Sequence, residues 1–210
     1  MYTIDRTDPH RVASLEDLGK IYAEPLPAIA TKETDHITEV GHDFIAASPF
    51  LILATSNGDT IDCSPKGDAP GFVQLLDDRT LLIPDRPGNN RIDGIKNLLT
   101  NPKVGLIFMV PGSNETYRVN GDATITTDPE LLRRFEVRGK PPRVVIVVSV
   151  IEAFNHCPKA FVRAKLWDTT ERPAGVPTIG DFTASRDGKD AAYAKIYNEN
   201  YAVRLKTELY

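Results

Sequence analysis

Only two cysteines, Cys63 and Cys157, occur in the 210 residues. That is too few for a disulfide framework. Neither belongs to a CxxC pair, so both read as small packing residues, and the expected setting is reducing and cytoplasmic. The four histidines, His10, His36, His42 and His156, are scattered, and HExxH is missing. No metal site is indicated, and the histidines read as surface residues. No apolar run approaches the roughly 20 residues of a membrane helix. The start, "MYTIDRTDPHR", lacks the apolar stretch of a signal peptide. Net charge is -4, which argues against a nucleic-acid surface. GxGxxG, GxxxxGK[ST] and GxSxG are all absent. Rossmann, P-loop and serine-hydrolase chemistry are therefore not indicated.

What the chain does contain is typical of a globular protein: 41% apolar and 26% charged residues. Sixteen prolines predict many short elements. A single domain over 1–210 is expected, with N-terminal helices in 14–47, a barrel core in 50–155 and a C-terminal segment and helix in 156–210. Leu15, Leu18 and Tyr22 recur at helical spacing behind Ser14, and Pro25 and Pro27 end that segment. Ile37, Val40 and Phe44 share one face of a second helix, Thr34 to Ala47. "FLILATS" is an apolar strand, and Asn57-Gly58 suits a hairpin turn. "GFVQLLD" and "TLLIP" follow as strands. Ile92, Ile95, Leu98 and Leu99 define a short helix. "KVGLIFMV" is almost wholly apolar, which predicts burial on both faces.

From Tyr117 to Thr126 apolar and polar residues alternate, giving a strand with one wet face. "TDPELLRRFEV" is a capped helix. "RVVIVVSVIEAF" is a long central strand. "HCPKAFVRAKLW" is mixed, a Pro/Gly loop runs to Gly180, and a helix is expected from Gly188 to Tyr210. Tyr193, Tyr197 and Tyr201 there have i, i+4 spacing. The connections are too short for repeated parallel crossovers. The fold class is mainly β with α, a small antiparallel barrel decorated by helices.

Two stretches carry candidate chemistry. "SPKGD" (Ser64 to Asp68) places a hydroxyl, the Lys66 ammonium and the flexible Gly67 together after a strand, a set suited to a phosphate. The alternative is an ordinary connecting loop. "LLIPDRPGNNR" (Leu81 to Arg91) runs into a helix, whose N-terminus with Arg91 favours an anion. Asn89 as a simple N-cap is the alternative there. On neighbouring strands of one barrel, the two stretches are expected to bracket one phosphate. Arg86 reads as solvent-facing.

The run from Asp62 to Ile125, with SPKGD, IPDRPGNNR, NPKVGLIF and RVNGDA, resembles the pyridoxamine 5'-phosphate oxidase-related family of FMN-binding split barrels. "HCPKAFVRAKLW" (His156 to Trp167) extends the resemblance. The resemblance implies an antiparallel split β-barrel, a homodimer and FMN in a cleft between subunits. Carried across by position, Ser64, Lys66 and Gly67 fall on the phosphate side, completed by Asn89, Asn90 and Arg91. Ile83, Pro84 and Asp85 run past the isoalloxazine. Arg118 and Asn120 fall near the ring or ribityl chain. His156, Lys159, Arg163 and Trp167 close the site from the partner subunit. Alternatives stay open: Arg118 as a cross-strand partner, Lys159 and Arg163 as a solvated helix face, Trp167 as dimer core.

True pyridoxamine phosphate oxidases carry a C-terminal Arg-x-His feature. This chain ends "YAVRLKTELY", with no histidine after His156. The expected activity is therefore FMN-dependent oxidoreduction of another small molecule. The flavin supplies the redox chemistry, so no catalytic triad is needed. The other expectations are a flavin-binding protein without turnover, or a barrel using haem or F420.

Overall fold

The computed structural model describes residues 7, 8 and 10–207. The chain divides into two compact units, Met1–Glu33 and Thr34–Tyr210. The first contains α1 (Leu15–Ile21) and the single turn α2 (Pro27–Ala30). Ser14 caps α1 by accepting the Asp17 N–H at 3.1 Å. The turn α2 is one that the reading of Pro27 as a terminator missed; proline is well suited to a first helical position.

The second unit begins with α3 (Glu39–Ala47), capped by Thr38. This is shorter than the expected helix from Thr34, because Thr34 bridges Ala153 instead. Ile37 and Ile45 are buried, whereas Val40 is exposed, so Val40 does not share their face. Seven strands follow: β1 (Phe50–Ser56), β2 (Ile61–Gly67), β3 (Gln74–Asp77), β4 (Thr80–Asp85), β5 (Lys103–Met109), β6 (Thr116–Thr126) and β7 (Val144–His156). Between them lie α4 (Asp93–Leu98) and α5 (Pro129–Arg133), and after them α6 (Lys159–Ala164), α7 (Ile179–Arg186) and α8 (Ala191–Thr207).

Every pairing is antiparallel, in the order β2-β1-β5-β6-β7-β4-β3. The central strand β7 lies between β6 and β4. Leu51 and Leu53, Leu81 and Ile83, Leu106 and Phe108, Val119, Ile146 and Val148 form one core from five strands. Each such side chain contributes about 1.5–3 kcal/mol by leaving water. The sheet rolls around this core until β2 and β4 face one another, although they are not paired: Lys66 on β2 bonds Asp85 on β4. The mainly β architecture with helices, and an antiparallel sheet curved into a split barrel, match the sequence expectation.

Several local expectations change. β5 is not buried on both faces: Val104, Leu106 and Phe108 point inward, and Ile107 on the other face is 36% exposed. At β5 only the inner face meets a core; the smaller second core, Leu82, Phe135 and Val145, covers the other face at β4 and β7. Ser64 to Gly67 lie in β2 itself, not in a loop. Because β2 is an edge strand, Pro65 costs no ladder on its open side. A bulge at Asn120/Gly121 interrupts β6. A Cβ on Gly121 would overlap the Ser149 carbonyl oxygen, so only glycine fits.

The loop read to Gly180 ends early, because α7 starts at Ile179 behind a Thr178–Asp181 capping box. Helix α8 starts at Ala191, and the rings of Tyr193, Tyr197 and Tyr201 follow one another at 6.3 and 6.4 Å. The expected end at Tyr210 lies outside the described residues. Cys63 and Cys157 are exposed, not packed; Cys63 stands on the outer side of the edge strand. No described helix is long and apolar enough to cross a membrane.

Candidate functional site

The seam between β2 and β4 opens into a cleft of about 560 Å³. That is within the roughly 300–1,000 Å³ of small-molecule and cofactor sites. Its walls come from β2, the end of β4, the loop from Arg86 to Ile92, the start of α4, and Arg143. Leu53, Phe72 and Pro84 give it an apolar side.

Of the sequence-predicted residues, Ser64, Lys66, Gly67, Pro84, Asp85, Asn89, Asn90 and Arg91 all line this one cleft. Alternation along β2 explains why the side chains of Ser64 and Lys66 turn to the same side, together with Asp62. Lys66 Nζ donates to Asp85 Oδ1 at 2.5 Å, with the side chains 20% and 14% exposed. Ser64 Oγ donates to Asp62 Oδ2 at 2.5 Å. Arg91 Nε donates to Asp93. The Arg91 guanidinium thereby holds the Asp93 carboxyl below the usual carboxylate range.

The loop bordering the cleft has an unusual backbone. Asn90 and Ile92 have φ of 59° and 34°, the left-handed region that non-glycine residues rarely occupy. Asn89 is not the cap of α4: its Oδ1 accepts the Arg91 N–H at 3.0 Å, and Ile92 stands at the N-cap without a side-chain bond. With only six residues and no such cap, α4 offers little of the expected dipole grip. Instead α4 positions the cleft by packing. A Cβ on Gly94 would lie 3.0 Å from Asp62 Oδ2, and Asn97 Nδ2 donates to Thr55 Oγ1 at 3.1 Å.

Arg86 is not solvent-facing. Its Nε donates to Asp68 at 2.7 Å and its Nη1 to the Phe135 carbonyl at 2.6 Å. Both side chains of the pair are largely buried, at 16% and 5% exposure. The sequence reading also passed over Asp62 and Arg143. Arg143 Nη1 donates to Asn90 Oδ1 at 2.8 Å, bracing the loop. Its signal is its position: it precedes Val144, which pairs with Asp85.

The remaining candidates lie elsewhere. The Ile83 side chain is fully buried in the core. Arg118 lies opposite Phe154, with its guanidinium carbon 5.0 Å from the ring centre, and its buried Nε has no hydrogen-bond partner among the described residues. Asn120 Nδ2 donates to Glu152 Oε1 at 2.5 Å. His156 ends β7 opposite Thr116. Lys159 and Arg163 are exposed on α6. Trp167 stacks on Phe161 at 6.1 Å and donates to the Ser113 carbonyl at 2.7 Å. None of these seven lines the cleft of its own chain. Among the described residues, no group of three or more histidine, cysteine, aspartate or glutamate side chains is placed to hold a metal ion.

Comparison with curated proteins gives no match. Solved structures give partial likenesses. HupZ of Group A Streptococcus is 25% identical over 57% of this chain and 93% of its own, with a TM-score of 0.46. A putative pyridoxamine 5'-phosphate oxidase from Lactobacillus delbrueckii is 18% identical over 59% and 99%, at 0.47. An FMN-binding protein from Syntrophomonas wolfei is 11% identical over 59% and 84%, at 0.42. Residues 37–157, more than half of the chain and including β1 to β7 and the whole cleft, match the family model for pyridoxamine 5'-phosphate oxidase, and the chain belongs to that family.

Proposed function

We propose that the protein is an FMN-dependent oxidoreductase acting on a small molecule other than pyridoxamine phosphate, and that it works as a homodimer. The observation that carries this reading is the meeting of "SPKGD" and "IPDRPGNNR" in a single cleft of cofactor size. Family membership supports the flavin class.

The cleft fits FMN in its composition. Ser64, Lys66, Asn89, Asn90 and Arg91 supply donors for a phosphate, with the Gly67 backbone beside them. Pro84, Leu53 and Phe72 supply apolar surface for a ring, and the backbone of Ile83 to Asp85 runs alongside. Bound FMN supplies hydride or electron transfer at its ring. The chain's own residues bind and orient it, and the apolar wall excludes water. Arg118, Asn120, His156, Lys159, Arg163 and Trp167 act, in this reading, on the cleft of the partner subunit. A cation among them, Arg118 or Lys159, favours negative charge on the ring.

The test is to purify the protein, record a flavin spectrum, and identify the extracted cofactor by mass. A colourless protein that takes up no added FMN rejects the reading; haem or a deazaflavin in the extract replaces it. Reduction of bound FMN followed by a screen of acceptors separates an enzyme from a binding protein without turnover.

A further inference from the structure

Three of the residues that would grip a phosphate are bonded to carboxylates of the same cleft. Ser64 donates to Asp62, Lys66 to Asp85 and Arg91 to Asp93. Carboxylate and phosphate oxygens are the same kind of acceptor for these donors. A phosphate that reaches them meets an internal competitor at each.

The competitors differ in strength. Arg91 and Asp93 are open to solvent, where charges are well screened. Lys66 and Asp85 are largely buried, so their charges act through a medium of lower effective dielectric. The ammonium has three protons and can hold a second acceptor. That would set a phosphate dianion within a few ångströms of the Asp85 carboxylate, a like-charge contact of high cost. Asp85 therefore has to turn away or stay and repel.

We infer that Asp85 is a specificity-determining residue: it competes with the phosphate of the ligand for Lys66 and holds the affinity of the cleft for phosphate esters below what its cations would give. The backbone of Asp85 still borders the ring, so only the side-chain charge is counterproductive for binding. The consequence is a cofactor that exchanges rather than one permanently held.

This inference rests on the FMN reading of the cleft, and its test separates the two. Dissociation constants for FMN and for riboflavin, which lacks the phosphate, are measured with the wild type, Asp85→Asn, Asp85→Ala and the charge-keeping Asp85→Glu, each checked for folding by its urea midpoint. The expected result is FMN binding tighter by about ten-fold in whichever neutral variants fold, no such tightening for riboflavin, and no tightening of FMN by Asp85→Glu. Wild-type FMN binding with no tightening in a folded neutral variant overturns the inference alone. Equal tightening of riboflavin overturns it too, since the effect then does not act on the phosphate. A wild type that binds neither flavin overturns the FMN reading and this inference together.

Discussion

Arg86 reaches from the end of β4 to Asp68, just past the end of β2, at 2.7 Å, and so ties together two strands that share no backbone ladder. Its second bond, to the Phe135 carbonyl, anchors the chain after α5 to the same point. A pair this buried is costly to break from one side, because the remaining charge stays out of water. Arg86→Ala is expected to lower stability by about 3 kcal/mol or more in urea denaturation. Loss of less than about 1 kcal/mol would show that the seam is held by other contacts.

The two phosphate-side cations give a second expectation. Lys66→Ala combined with Arg91→Ala removes both donors and leaves Asp85 and Asp93 facing the ligand. FMN affinity is expected to fall about a hundred-fold, with riboflavin affinity nearly unchanged. Fluorescence titration measures both, and equal loss for the two flavins rejects the phosphate assignment.

Gly121 sits at the β6 bulge, where an added Cβ would overlap the Ser149 carbonyl oxygen. Backbone rather than a flexible side chain is in the way. Gly121→Ala is expected to cost about 2 kcal/mol or more through displacement of β7. An unchanged thermal midpoint would mean that the bulge can relax.

Ile92 holds a left-handed φ of 34° at the entrance of α4, a costly conformation for a β-branched residue. Ile92→Gly is expected to raise stability by about 1 kcal/mol and to weaken FMN binding by loosening the loop. Calorimetry and titration on the same sample check the two signs. A variant that is less stable than the wild type contradicts the strain.

Asp35 is one source of acid sensitivity. Asp35, bonded to His36 and to Arg79, has its carboxyl lowered from 3.8 to about 2. A depressed carboxyl stabilises the folded state above its unfolded value and loses that contribution as pH falls through its folded value. The stability difference between wild type and Asp35→Asn is therefore expected to be full above about pH 5, to shrink as pH falls, and to vanish only below about pH 2. Urea midpoints at several pH values measure it; a difference independent of pH removes Asp35 as a source.

The residues differ in how openly the sequence declared them. Tyr117 to Thr126 was legible because its alternation mirrors a sheet with one face on a core. "KVGLIFMV" misled because apolar residues stand on the outer face of β5 as well. Helix α7 was hidden by the prolines before it, although Thr178 and Asp181 have capping-box spacing. At the site, Ser64, Lys66, Asn90 and Arg91 were legible as polar groups suited to an anion. Their pairing with carboxylates was not: Lys66 and Asp85 are brought together by the roll of the sheet, a property of the whole barrel. Arg143 joins for the same reason, through the pairing of β4 with β7.

Both margins of the sheet are closed to growth. β2 carries Pro65, which has no N–H to offer a neighbouring strand, and β3 is four residues long with a register shift. An added strand from another chain would find no continuous row of donors and acceptors on either side. The barrel can thus leave its seam unzipped, as a cleft for a ligand, without presenting a template for aggregation.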